Sequence, residues 1–120
     1  MSYYINTTIK GVFVNVENAV ENALKEEGFG VLTVIDIQEK LHEKLDVEFR
    51  KYKILGACNP TYAYEALKHE DKIGTMLPCN VIIQEIEKNV IEVAAVDPMA
   101  SMLAVDNEVL LEIAKDIKEK

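Results

Sequence analysis

The sequence predicts an α+β domain, and three observations carry that expectation. Strand-like and helix-like periodicities alternate along the chain. The last two strand patterns, Cys79 to Glu87 and Val90 to Val96, are joined by Lys88-Asn89 alone. A connection that short makes a hairpin and excludes a purely parallel, doubly wound sheet. Finally, 120 residues, 49% of them hydrophobic, form a single domain, residues 1–120, able to bury a core without a disulfide staple.

Taken in order, Tyr3 to Val14 mixes β-branched and aromatic residues and reads as a strand, with Gly11 as a bulge. Asn15 is an N-cap for the helix marked by Val16, Ala19, Val20, Ala23 and Leu24, which recur on one face. Gly28 ends that helix as the left-handed residue after its last turn. Val31 to Ile37 is almost continuously apolar and β-branched, the pattern of a central strand covered on both faces. Gln38 to Leu45 is a short charged helix, and Val47 to Ala57 a long strand with Tyr52, Ile54 and Gly56 on one face and Leu55 and Ala57 on the other. Asn59-Pro60 opens a helix carrying Ala63, Ala66 and Leu67. Ile73 to Pro78 reads as a loop, Asn89 as the left-handed residue of the hairpin, and Asp97-Pro98 as a second cap-then-proline start. Val109, Leu110, Ile113, Ala114 and Ile117 mark a terminal amphipathic helix.

Charge narrows the class of partner. The net charge is -8, and basic residues are scattered among acids, as in Glu39-Lys40 and Glu43-Lys44. A nucleic-acid backbone is held by clustered Lys and Arg, and anionic lipid likewise attracts basic surfaces, so neither nucleic acid nor membrane is expected as a partner. Met1 to Asn6 lacks a basic stretch leading into an apolar one, so the chain is expected to be cytoplasmic. In that compartment Cys58 and Cys79 are expected as free thiols.

Those two cysteines are the site-like feature. Cys58 closes a strand just before Asn59-Pro60. The Asn59 side chain can accept from the first helical turn, Pro60 has no N–H to lose there, and the positive helix end favours a thiolate or bound anion near the sulfur. The plainer reading is a small buried hydrophobe. Cys79 follows Pro78 and shares a strand face with Val81 and Ile83, which favours burial. Both cysteines precede Asn at an element boundary, so they could meet at one end of the sheet with Asn80 and Asp97 nearby. A redox pair lacks the Cys-x-x-Cys spacing. A zinc site lacks four N/S ligands, since His42 and His69 sit in charged helical segments; Cys58 and Cys79 with Met76 or Met99 make a weak soft-metal set. A cysteine-protease arrangement lacks its histidine motif. No cofactor follows from these residues.

Other candidates have simpler explanations. Asp36 and Asp97 read as turn and cap residues, and Glu85, Glu87, Asp106 and Glu108 show no catalytic spacing. Gly28-Phe29-Gly30 leads into a strand, whereas a phosphate-binding glycine loop leads into a helix.

Four motifs span nearly the whole chain: Glu27-Gly28-Phe29-Gly30-Val31, Tyr52 to Pro60 (YKILGACNP), Gly74 to Val81 (GTMLPCNV) and Val96-Asp97-Pro98-Met99. In this order they resemble the family called domain of unknown function 302. The resemblance implies one copy of a fold similar to the TATA-box-binding protein, a curved antiparallel sheet with helices packed on one side, in the order β-α-β-(short α)-β-α-β-β-α. It also implies homodimers. It does not imply DNA binding, because fold does not carry function and the charge has the wrong sign. Asp46 departs from the family's pattern, which favours Gly there. The function expected is binding of a small-molecule ligand at Cys58, Asn59, Pro60, Cys79, Asn80 and Asp97. The alternatives are a thiol-redox or soft-metal protein using Cys58 and Cys79, and a purely structural or protein-interaction domain.

Overall fold

The structure, a computed structural model, describes residues 3–97. The expected terminal helix around Val109 to Ile117, and the start expected at Pro98, lie outside the described residues. Five strands and three α-helices run β1 (Tyr4–Lys10), α1 (Phe13–Glu26), β2 (Gly30–Asp36), α2 (Ile37–Leu45), β3 (Tyr52–Cys58), α3 (Pro60–His69), β4 (Cys79–Glu87) and β5 (Val90–Val96), with a 3-10 helix over Asp71–Met76. The strands form one open antiparallel sheet ordered β1-β5-β4-β3-β2, with helices on one side. The expected α+β class holds, and so does the element order as far as β5. No helix among the described residues is long and apolar enough to cross a membrane.

The local signals were accurate where a single residue decides the backbone. Asn59 accepts from the backbone N–H groups of Thr61 and Tyr62, and Pro60 is the first residue of α3. Gly28 has φ +84, the Gly28 N–H reaches the Lys25 carbonyl and the Phe29 N–H reaches that of Leu24. These are the paired bonds of a helix ended by a left-handed glycine. Asn89 takes φ 61 in the β4–β5 hairpin. Asp36 caps α2 by accepting from the Glu39 N–H at 3.0 Å.

Several boundaries moved. β1 stops at Lys10, and α1 begins at Phe13 with Val12 as its cap, so Asn15 lies inside the first turn. The earlier start buries Phe13 beside Val16, and that burial outweighs a cap hydrogen bond. β3 begins at Tyr52 rather than Val47, and the expected loop after Ile73 is largely a 3-10 helix with Ile73 fully buried. β2 is an edge strand, not a central one. Leu32, Val34 and Ile35 are exposed, Leu32 by 66%. A β-branched run reports a preference for pleated backbone, not lateral position. The lateral order is set by the β4–β5 hairpin, which takes the middle and leaves β2 a single neighbour.

Register divides the sheet into two faces. Leu55, Ala57, Val81, Ile83, Ile91, Val93 and Ala95 share the helix side through the pairs Leu55–Val81, Ala57–Cys79, Ile83–Val93 and Val81–Ala95. Phe13 and Val16 of α1 close the core on Leu55, Val81, Ile83 and Ile91, with Val20 and Leu24 packed against it. An ion pair from Lys53 Nζ to Glu17 Oε1, 3.0 Å, ties α1 to β3. The other face carries Tyr52, Ile54 and Gly56 of β3, Asn80, Ile82 and Gln84 of β4, and Glu92, Ala94 and Val96 of β5.

Candidate functional site

Residues far apart in sequence converge on one end of the sheet. Cys58 closes β3 opposite Gly30, and Cys79 opens β4 opposite Ala57. Continuing the Val81–Ala95 register by two residues puts Asp97 at the position across from Cys79. Asp97 is buried, and its N–H donates to the Tyr3 carbonyl at 2.8 Å. On the other flank, Asn59 Nδ2 lies 3.2 Å from where a Cβ on Gly28 would stand. Each of the four motifs noted in the sequence therefore sends at least one residue to this end.

The two cysteines, however, are not alike. Both are free thiols and half-buried. Strand alternation puts Cys79 with Ala57 on the helix side, while Cys58 follows Gly56 toward the other. Burial pushes the Cys58 thiol up, against the expectation that the helix end would favour its thiolate. At the helix start, Asn59 already satisfies two N–H groups of the first turn, and Pro60 offers none. Cys79 is pushed up by burial first, and the charge of a Cys58 thiolate would raise it further. Neutral thiols are poor nucleophiles and poor metal ligands. Among the described residues no three His, Cys, Asp or Glu side chains gather as a metal set.

What opens beside Cys79 is a groove of about 470 Å³. Val20, Ala23 and Leu24 of α1 form one wall, and Val81, Val93 and Ala95 of the sheet form the floor with Cys79. Glu27 and Asn80 contribute polar groups. Of the expected site residues, Cys79 and Asn80 line this groove. Cys58, Asn59 and Pro60 do not, and they shape the sheet end instead. The α1 wall was readable only as a helix face facing the core. That α1, among the described residues, leaves room for a groove over β5 depends on where it crosses the sheet.

The family described as "Domain of unknown function DUF302" matches residues 5–120. The chain belongs to this family. The solved structure titled "Crystal structure of uncharacterized conserved protein DUF302 from Bacillus stearothermophilus" is similar to it, with a TM-score of 0.90 and 28% identity over 99% of this chain and 92% of that one. No curated protein matches. In this DUF302 chain the departure at Asp46 falls where α2 ends, and Asp46 itself adopts the left-handed conformation (φ 54) that glycine would take without strain. Asp is among the few side chains that accept that region, and it is remote from the cysteine motifs.

Proposed function

We propose that this DUF302 domain binds a small, uncharged, largely apolar molecule in the groove floored by Cys79, and does so without catalysis. The observation that carries this reading is the groove itself. Its volume falls within the range of small-ligand sites, its walls are mainly aliphatic, and it opens at the sheet end where the family motifs meet. Asn80 and Glu27 provide the few polar contacts that would orient a ligand. The thiol-redox alternative is disfavoured because both thiols are shifted toward the neutral form. A cytosolic setting fits two cysteines that remain unpaired.

Thiol labelling tests the proposal. Raised pKa values mean fewer thiolates at a given pH, so alkylation of the folded protein near pH 8 is expected about tenfold slower than in urea. It should accelerate as pH rises through and beyond the ordinary thiol range. Adding 1-decanol is expected to slow Cys79 further and leave Cys58 unchanged. Ala23→Trp, a substitution on an exposed helix position, should fill the groove and remove that protection. Decanol that leaves the Cys79 rate untouched sinks the proposal.

The domain is also proposed to act as a homodimer. Support comes from the family resemblance and from β2, whose exposed Leu32, Val34 and Ile35 sit on an open sheet edge that soluble proteins normally blunt or cover. Light scattering after size exclusion should give twice the 13.5 kDa chain mass at tens of micromolar, and Val34→Lys should shift it toward the monomer. A wild-type monomer at that concentration removes this part of the proposal.

A further inference from the structure

The sheet face opposite the described helices holds a second cleft, of about 380 Å³, which meets the groove above at a border shared through Asn80, Ala95 and Val96. Tyr3, Tyr4, Tyr52, Gln84 and Glu92 are among its lining residues. The rings of Tyr3 and Tyr4 stand nearly perpendicular, with centroids 5.1 Å apart and 74° between planes. Two rings set at such an angle present a corner of π-faces, which attracts a cation lacking a tight hydration shell.

Glu92 supplies the matching charge. Its Oε1 accepts from Gln84 Nε2 at 2.7 Å and its Oε2 accepts from Asn6 Nδ2 at 2.9 Å. Both donors are neutral amides, and among the described residues no ion pair involves Glu92. The nearest cation in this ladder is Arg50, one step removed, whose Nε donates to Gln84 Oε1 at 2.8 Å. Arg50 stacks 4.3 Å from the Phe49 ring and lies 5.9 Å from that of Tyr52, so Tyr52 serves as a wall while Tyr3 and Tyr4 form the cation-facing corner. The two amides thus fix the position of Glu92, and the chain's net charge of -8 draws cations toward this acidic surface.

We propose that this cleft binds a small organic ammonium ion, with an alkylated ammonium head against Tyr3 and Tyr4 and Glu92 as its counter-charge. A metal ion fits poorly, because an aromatic corner offers no replacement for its hydration shell. A nonpolar molecule would leave the Glu92 charge unused.

Choline and its neutral isostere 3,3-dimethylbutan-1-ol, titrated into the full chain and followed by NMR shifts of the tyrosine rings and the Ala94 methyl, test this directly. Choline should shift these signals saturably, and the isostere should bind about tenfold more weakly. Tyr3 is 71% exposed, so Tyr3→Leu should fold normally, as circular dichroism would verify, and weaken choline several-fold. Tyr3→Phe, which keeps the π-face, should retain binding. Glu92→Gln should weaken choline while leaving the isostere unchanged. Equal binding of choline and isostere, choline binding indifferent to Tyr3→Leu, or no saturable shift overturns the proposal. Since this cleft and the Cys79 groove lie on opposite faces, Tyr3→Leu should leave decanol protection of Cys79 intact.

Discussion

Replacing Gly56 with alanine is expected to lower stability by about 3 kcal/mol, which at this chain length is a fall in Tm of about 12 °C. Gly56 is buried in β3, opposite Thr33 on β2 and Asn80 on β4. A Cβ there would overlap the Thr33 hydroxyl and stand 2.7 Å from Pro78 Cγ. Neither neighbour yields readily: threonine is stiff at its first side-chain torsion, and the proline ring is closed. Differential scanning calorimetry on Gly56→Ala, alone and with Thr33→Ala, separates the two contacts. Removing the hydroxyl leaves Thr33 Cβ at 3.6 Å, an ordinary contact, while the Pro78 overlap stays. The double variant should therefore recover part of the loss, not all. Wild-type stability in Gly56→Ala would mean that β2 and the Pro78 turn do not close on β3 as described. This glycine also stands two residues before Cys58, so its loss should disturb the sheet end where the motifs meet.

Truncating Ile83 to alanine should cost about 4 kcal/mol, and the same truncation at Ile82 about 1 to 2 kcal/mol. These are neighbours on β4, the middle strand, and alternation sends them to opposite faces. Ile83 is fully buried in the core that Phe13 and Val16 close from α1. Ile82 is only half-buried, on the face opposite the described helices, and lines the cleft beside Tyr52 and Gln84. The Ile83 cavity would be surrounded by packed side chains with little room to collapse. At Ile82, solvent can fill much of the space. Urea titration of both variants checks the contrast, and equal losses would show that the Ile82 face is as fully covered as the core.

Much of the fold was legible because its signals are local. Asn59-Pro60, Gly28 and Asn89 each restrict the backbone at one position, and each does what its chemistry dictates. The face periodicity of β3, with Leu55 and Ala57 opposite Tyr52 and Gly56, also held, because alternation is a property of the strand alone. Errors arose where long-range packing competes with a local preference. Asn15 is a good cap, but burying Phe13 and Val16 starts α1 earlier. Val31 to Ile37 is apolar enough for the centre of a sheet, yet the hairpin claims that place.

The candidate site divides the same way. Sequence alone brought Cys58, Cys79, Asn80 and Asp97 to element boundaries, and it determined the class of fold and the sign of the surface charge. Tertiary structure decided what surrounds them. It set Cys79 on a groove and turned Cys58 away from it. It moved both thiols toward their neutral forms, and it brought Glu92 to the same cleft as Tyr3 and Tyr4, from which most of the chain separates it. Backbone torsions are chosen by a residue and its immediate neighbours. Burial, charge and proximity across strands are properties of the assembled sheet, and they exist only once register and helix placement are fixed.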